Sequence, residues 1–230
     1  MSRYALLGSP FLGPEVWEPT AAALRARGHR AEVVTSTAGD DADSILEELA
    51  AALPRSLAAG DDLVLVPHSN AGLYVAALVA RRPVTALVFV DALLPGEPPT
   101  SLVTSAELVE QLRPLADATG RLPVWTRWWP EEDVADLFSD AGQRASVERG
   151  QRRLPLAYLE SSVPSPAGWE RLPAAYLGFG EAYAAEQSRA RAAGWPVSLL
   201  PGRHLHPVIE PTVVADAVTA LHAKAMAQCR

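Results

Sequence analysis

The sequence predicts an α/β fold: a mostly parallel six-stranded sheet with helices on both faces and a helical cap insertion. Short β-type runs alternate with helical segments up to residue 91, and the alternation resumes after residue 172. The runs at 62–66 and 84–90 are almost continuously apolar, which is typical of parallel strands buried on both faces. The length of 230 residues fits one such domain better than two small ones.

The elements before residue 91 follow from apolar periodicity and from the residues that end each run. The predicted strands cover residues 4–7, 31–34, 62–66 and 84–90. The predicted helices cover residues 15–28, 41–59 and 70–81. Gly28 ends the first helix, and Pro54 ends or kinks the second.

The segment at 92–171 breaks this rhythm. It is rich in proline, holds four of the six tryptophans and contains no convincing buried strand, so we interpret it as a mostly helical insertion. The remaining predicted elements are strands at 174–179 and 196–200 and helices at 181–193 and 212–227. The chain therefore divides into a core of residues 1–91 and 172–230 and a cap of residues 92–171.

Composition excludes several classes of protein. The net charge of −7 argues against a nucleic-acid partner, and the basic cluster at 144–153 is interpreted as a solvated helical face. No apolar run is long enough to cross a bilayer, and no signal peptide is recognisable, so we expect a cytoplasmic protein. The single cysteine, Cys229, cannot form an internal disulfide. No metal or phosphate-binding motif is present, and we expect neither a metal nor a cofactor.

One motif carries chemistry. The buried strand at 62–66 runs through Pro67 and His68 into Ser69, and a helix follows at once. This layout is typical of a nucleophile elbow, in which a sharp strand-to-helix turn exposes a serine hydroxyl above the sheet. Pro67 and Ala71 stand where the G-x-S-x-G pattern has glycine. Ser69 alone could equally be a helix N-cap.

With these features the chain resembles the α/β-hydrolase superfamily over nearly its whole length. The superfamily orders its triad as serine, acid, histidine, and the loop at 201–211 resembles its histidine loop. His204 matches the catalytic position and is favoured over His206, two residues later. The chain begins at what would be the third strand of the superfamily, so we expect a wholly parallel sheet in the order 2-1-3-4-5-6.

The acid of the triad is the least determined part of this assignment. The resemblance implies a carboxylate just after the penultimate strand, where Glu181 stands. Asp91, at the end of the fourth strand, is the rival because some members of the superfamily take their acid from that position. We favour Glu181. A first-turn helical carboxylate also suits the helix dipole, so Glu181 has a structural explanation too.

The oxyanion hole that the resemblance implies combines two backbone N–H groups. One belongs to Asn70, directly after the serine. The other comes from the loop after the first strand, where Pro10 has no N–H and Phe11 is the remaining donor. Because only the backbone acts, we expect truncation of the Phe11 side chain to be tolerated.

The expected function is a serine hydrolase of the esterase, lactonase or thioesterase type, transferring the acyl group of a small, largely apolar substrate. Two roles are considered for four tryptophans: they line the substrate pocket, or those in the cap form a small core of the cap itself. They are Trp17, Trp125, Trp128 and Trp129. The alternatives are a non-hydrolytic enzyme of specialised metabolism on the same fold, such as a lyase or cyclase, and a binding protein without turnover. The loop at 8–13 lacks the spacing of a dinucleotide-binding domain. The sequence leaves open whether the protein forms a homodimer.

Overall fold

The computed structural model describes residues 2–229. Its strands, in chain order, are β1 (Ser2–Leu7), β2 (Arg30–Val34), β3 (Asp62–Ser69), β4 (Ala86–Ala92), β5 (Thr100–Leu102), β6 (Ser162–Pro164), β7 (Ala174–Phe179) and β8 (Val197–Leu200). Its α-helices are α1 (Glu18–Ala26), α2 (Ala42–Ala52), α3 (Val75–Val79), α4 (Ala106–Leu112), α5 (Glu131–Ala135), α6 (Ala141–Gly150), α7 (Leu156–Leu159), α8 (Ala184–Ala192), α9 (His206–Ile209) and α10 (Pro211–Gln228).

The main sheet has the order β2-β1-β3-β4-β7-β8, and every neighbouring pair of strands in it is parallel. This confirms the predicted order and the wholly parallel arrangement. The central strands β3 and β4 are buried along nearly their full length, as their continuous apolar sequences predicted. Because β3 and β4 are parallel neighbours at the centre of the sheet, their carboxyl ends meet at the middle of one sheet edge. Open α/β sheets bind their ligands at this edge.

Helices cover both faces of the sheet because each face buries one of two apolar clusters. On one face α1 and α10 pack with residues such as Leu24, Val214 and Val218. On the other face α2 and α3 pack together with most of the segment that follows β4. This double cover explains why the strands read as unbroken apolar runs rather than as alternating ones.

The bounds of α2 illustrate how local signals set the helices. The Asp41 side chain caps the first turn by accepting a hydrogen bond from the Ser44 amide at 2.8 Å. The Ser44 side chain accepts the Asp41 backbone N–H in turn, which completes a capping box. The helix ends at Ala52, earlier than the predicted residue 59, because Leu53 precedes Pro54 and is extended. The expected stop at Pro54 is confirmed.

The regular secondary structure between β4 and β7 is mainly helical, in the short pieces α4 to α7. It also contains the antiparallel pair β5–β6, in which Ser101 and Val163 are buried. The expectation that it holds no buried strand is therefore wrong for these two short strands. Their three-residue lengths are too short to give a periodic sequence signal. The division of the chain into core and cap stays a prediction.

Ion pairs join this segment to the loop before α2. Asp40 accepts a two-pronged hydrogen bond from Arg121 at 2.7 and 3.0 Å, and Arg152 approaches the same carboxylate at 3.3 Å. The Arg121 guanidinium lowers the pKa of the Asp40 carboxyl.

Within residues 2–229 no helix is both long and apolar enough to cross a membrane.

Candidate active site

Ser69 lies at the carboxyl end of β3 in a strained backbone conformation. Its φ of 58° and ψ of −133° fall in a region that non-glycine residues rarely adopt. A short 3-10 helix, Asn70–Tyr74, follows at once and leads into α3. This is the geometry expected of a nucleophile elbow.

The close packing around this elbow explains why the residues after the serine are small. Ala71 is fully buried. A Cβ atom on Gly72 would lie only 1.8 Å from the carbonyl oxygen of Leu93. The 3-10 helix therefore crosses the end of β4 in direct backbone contact. The position that tolerates no side chain is three residues after the serine.

His204 reaches this sheet edge from the loop after β8 and binds Asp91. Its Nδ1 lies 2.7 Å from Oδ2 of Asp91, and the Asp91 side chain is wholly buried. The other carboxylate oxygen, Oδ1, accepts the backbone N–H of Phe179 at 3.0 Å. Asp91 itself has a positive φ of 43°. The buried carboxylate is thus satisfied on both oxygens, and the Nε2 atom of His204 is left for other chemistry.

The preference for Glu181 as the partner of His204 is wrong. Glu181 lies in the exposed turn after β7 and borders the mouth of the cavity described below, whereas Asp91 holds Nδ1 of the imidazole. The physical reason is the path of the histidine loop. It brings His204 over the end of β4, where a carboxylate on the strand itself is closer than one on the turn after β7.

His68 contacts His204 of the histidine loop through both its ring and a hydrogen bond. Its ring stacks on that of His204 with centroids 4.4 Å apart, and its Nε2 donates to the carbonyl oxygen of His204 at 2.9 Å. Since a carbonyl can only accept, the Nε2 atom of His68 carries the proton. Burial, with a smaller contribution from His204, holds the pKa of His68 well below 6.5. His68 is therefore a neutral ring at ordinary pH.

The structure separates the two histidines of the loop. His206 is buried against Phe179, with ring centroids 5.1 Å apart, and it begins α9. Gly202 packs directly onto the His206 ring, because a Cβ atom on that glycine would lie 2.7 Å from it. Burial lowers the pKa of His206. His204 borders the cavity with Ser69, in agreement with the preference for it over His206.

Tyr183 contacts both Ser69 and His204. Its hydroxyl lies 3.3 Å from Oγ of Ser69, and its ring stacks on the imidazole at 5.3 Å with an angle of 18° between the planes. The Ser69 hydroxyl thus bonds to Tyr183 in this conformation rather than to His204. Side-chain rotation moves a serine hydroxyl between staggered positions, and catalytic hydrogen bonds are often formed only once substrate is bound.

The two residues expected to supply oxyanion donors, Asn70 and Phe11, line the same cavity as Ser69. The amide of Asn70 begins the 3-10 helix, where the first N–H groups have no partner within the helix. The Phe11 amide makes only a long hydrogen bond of 3.4 Å to the side chain of Ser9. Phe11 also packs edge-on against Trp128 and Tyr158 and is 5% exposed. The expected tolerance of truncation stays a prediction for the backbone donor, but removing a buried phenylalanine costs about 3–5 kcal/mol of stability.

The side chain of Asn70 is fixed by a buried hydrogen-bond network. Its Oδ1 accepts from the Tyr158 hydroxyl at 2.6 Å, and its Nδ2 donates to the carbonyl of Val103 at 3.1 Å. Tyr158 in turn bonds to the hydroxyl of Tyr74 at 3.0 Å. Burial raises the pKa of both tyrosines, so they stay protonated. The network holds the residue after the serine in one orientation.

A cavity of about 780 Å³ opens over Ser69 and His204. Its wall is largely apolar and includes Phe11, Leu93, Val103, Leu108, Leu137 and Leu159. Trp125, Trp128 and Trp129 also line it, as expected, and the Trp125 ring lies 5.6 Å from that of His204. Trp128 belongs to the main apolar cluster, and Trp125 and Trp129 pack against it, so these tryptophans join the core beside the sheet rather than a separate core of the cap.

Trp17 does not belong to the pocket. It is fully buried on the α1 side of the sheet, and its Nε1 donates to the carbonyl of Leu7 at 3.0 Å. Its ring meets that of His68 edge-on at 5.7 Å. The expectation failed because proximity in sequence to the oxyanion loop does not determine which face of the sheet receives the side chain.

Sequence reasoning also missed three residues of the site. Tyr183, His68 and Tyr158 contact the serine, the histidine and Asn70, respectively. His68 precedes the serine directly, so its position beside the elbow was visible. Tyr158 and Tyr183 carry no motif, because their contacts depend on how distant segments pack. No sequence signal would have found those two.

Comparison with known proteins adds a partial sequence match. No family model matches the chain. The chain is 36% identical over 113 residues to the probable esterase PIR7A of rice, Oryza sativa subsp. indica. That match covers 44% of this chain and 43% of the rice protein, so it spans less than half of either one.

Solved structures define the fold. An extracellular α/β-hydrolase from a Paenibacillus species superposes with a TM-score of 0.72 and 17% identity, covering 96% of this chain and 98% of the other. It is described as sharing structural and functional homology with tobacco salicylic acid binding protein 2. A mutant of tomato methylketone synthase I gives a TM-score of 0.66 and 16% identity, covering 98% of this chain and 99% of the other. The chain therefore has the α/β-hydrolase fold, as the sequence predicted.

The buried state of His68 generates a testable pH dependence. The unfolded chain takes up a proton at His68 near pH 6.5, whereas the folded chain does not, since its pKa lies well below that value. Lowering the pH from about 7 to about 5.5 should therefore reduce the free energy of unfolding. The contribution of this one proton approaches about 1.4 kcal/mol per pH unit below the unfolded pKa.

Urea unfolding at several pH values measures this dependence. Comparison of the wild type with His68→Asn isolates the contribution of His68, because other titrating groups are common to both proteins. The slope of the unfolding free energy against pH should be smaller in the variant. The difference should equal the contribution of one proton. Equal slopes would show that folded His68 accepts a proton in this range.

Proposed function

We propose that the protein is a serine esterase that cleaves small, largely apolar carboxylic esters through Ser69, His204 and Asp91. The observation that carries the proposal is the 2.7 Å contact between His204 and the buried Asp91, at the edge of an apolar cavity that Ser69 also borders. An imidazole held by a carboxylate is a general base for a nearby hydroxyl. The partial match to a rice esterase and the fold of the solved neighbours support esterase activity broadly.

The proposed reaction begins when Oγ of Ser69 attacks the ester carbonyl and its proton passes to Nε2 of His204. Asp91 keeps the imidazole in the required tautomer and stabilises the imidazolium that forms. The N–H groups of Phe11 and Asn70 donate to the oxyanion, and each such donor is worth about 3 kcal/mol. His204 then protonates the leaving alcohol, and water releases the acyl group by the reverse sequence.

The apolar cavity supports the proposed class of substrate. Its tryptophan and leucine walls favour burial of an apolar acyl or alcohol group, at about 25 cal/mol per Å² of apolar surface removed from water. Asp133, Glu181 and Arg203 border the cavity and add polar character beside this apolar wall. A cavity of this size fits a drug-sized molecule.

A second candidate is a non-hydrolytic enzyme that uses the same residues. The hydroxyl of Ser69 contacts that of Tyr183 rather than His204, which favours this candidate because His204 is then free to act directly on the substrate. The two candidates differ in the origin of one oxygen atom. In water labelled with oxygen-18, hydrolysis should place the label in the acid product, whereas elimination or cyclisation yields products without label.

The nucleophile and base can be tested by labelling with a fluorophosphonate probe. We expect the wild type to be labelled, Ser69→Ala to be unlabelled, and His204→Ala to react far more slowly because its serine is no longer activated. Ser188→Ala, which removes an exposed hydroxyl on α8, is the matched control and should label normally. Undiminished labelling of Ser69→Ala would assign the nucleophile to another residue.

The two carboxylates can be separated by a pair of isosteric substitutions. Asp91→Asn should lower kcat for ester hydrolysis by about 10⁴-fold, because the amide favours the wrong imidazole tautomer. Glu181→Gln should retain kcat close to that of the wild type, since Glu181 does not contact His204. Steady-state kinetics on an activated ester measures both. The opposite ranking would restore Glu181 as the acid.

A further inference from the structure

Tyr183 contacts both the proposed nucleophile and the proposed base, Ser69 through its hydroxyl and His204 through its ring. It occupies the N-cap position of α8, at the end of the turn that follows β7, and its side chain makes no capping hydrogen bond there. Ser69 is the only hydrogen-bond partner of its hydroxyl among the described residues. Such a hydroxyl, fixed at a reacting atom by stacking on the imidazole, is placed for a chemical role rather than for packing alone.

The direction of this hydrogen bond follows from the proposed chemistry. When Ser69 attacks, it must donate its own proton to His204, so in that conformation the phenol is the donor and Oγ the acceptor. Burial raises the pKa of Tyr183 above its ordinary value. The phenol therefore keeps its proton throughout and acts only by hydrogen bonding.

The location of Tyr183 defines which part of a bound ester it would meet. The Phe11 ring packs against Trp128 and Tyr158, whereas the Tyr183 ring stacks on His204. The phenol hydroxyl therefore contacts Oγ of Ser69 while its own ring stacks on the imidazole of His204. The leaving oxygen of an ester must lie within reach of that same imidazole, because His204 protonates it.

We propose that Tyr183 is a further catalytic residue, whose phenol donates a hydrogen bond to the leaving oxygen during acylation. This inference rests on the proposed esterase function. As the bond from Oγ to the carbonyl carbon forms, the phenol transfers its hydrogen bond from Oγ to the leaving oxygen. The bond from carbon to that oxygen then breaks, and the oxygen takes its proton from the His204 imidazolium. Tyr183 begins and ends the step protonated.

A series of esters with one acyl group separates this role from a structural one. We would measure kcat/KM, which reports acylation, for para-nitrophenyl, phenyl and ethyl butyrate with the wild type and Tyr183→Phe. A para-nitrophenolate leaves without help, whereas an ethoxide needs stabilisation. We therefore expect a loss of about 10- to 100-fold for the ethyl ester, the size expected for one hydrogen bond to a charged oxygen, a smaller loss for the phenyl ester and almost none for the para-nitrophenyl ester.

Tyr4→Phe is the matched control. It removes one buried phenol hydroxyl, which bonds to His222 at 3.0 Å, outside the residues that line the cavity. We expect this variant to retain the wild-type dependence on the leaving group.

The outcomes distinguish the two proposals. An equal loss of kcat/KM on all three esters, no loss, or a gain with Tyr183→Phe would overturn the role of Tyr183 while leaving the esterase proposal intact. A wild type that cleaves none of the esters would overturn the esterase proposal itself. A circular dichroism spectrum and melting temperature like those of the wild type would show that Tyr183→Phe is folded.

Discussion

The hydrogen bond between Asp91 and His204 is the interaction around which this sheet edge is organised. A carboxylate that is wholly buried is costly unless its oxygens are paired, and here one oxygen binds the imidazole while the other binds the Phe179 amide. The first contact fixes the loop after β8, and the second fixes the end of β7. A single side chain on β4 therefore holds together the end of the neighbouring strand β7 and the loop that follows β8.

Backbone strain accompanies this arrangement at the ends of two adjacent strands. Ser69 and Asp91 are the non-glycine residues with positive φ in the part of the chain that the structure describes. Each such residue costs about 1–3 kcal/mol, so the surrounding contacts must overdetermine both turns. The close approach of Gly72 to the carbonyl of Leu93 supplies one such contact, and the backbone bond from Leu93 to the Ser69 carbonyl, at 3.1 Å, supplies another. Both strained residues carry side chains of the proposed triad, which links the strain to function.

The sequence predicted those features that depend on local pattern. Apolar runs placed the strands, and a serine after a buried strand marked the elbow. Features that depend on packing between distant segments were not predictable. The choice of Asp91 over Glu181 depends on how far the histidine loop reaches across the sheet, and the position of Trp17 depends on which face of the sheet α1 covers. Tyr183 illustrates the same limit, because nothing in its neighbourhood in the sequence indicates that its ring would stack on His204.

The Asn70 network connects the segment between β4 and β7 to the proposed chemistry. Tyr158 in α7 and the carbonyl of Val103 just after β5 hold the Asn70 side chain from two directions. The amide of that same residue is a proposed oxyanion donor, and such a donor is effective only when it is held rigidly in the productive geometry. Val103 also lines the cavity, so the segment that shapes part of the cavity wall also holds the residue whose amide would stabilise the transition state. Binding of substrate and stabilisation of the oxyanion are therefore coupled through one side chain, and substitutions in this segment should alter kcat as well as KM.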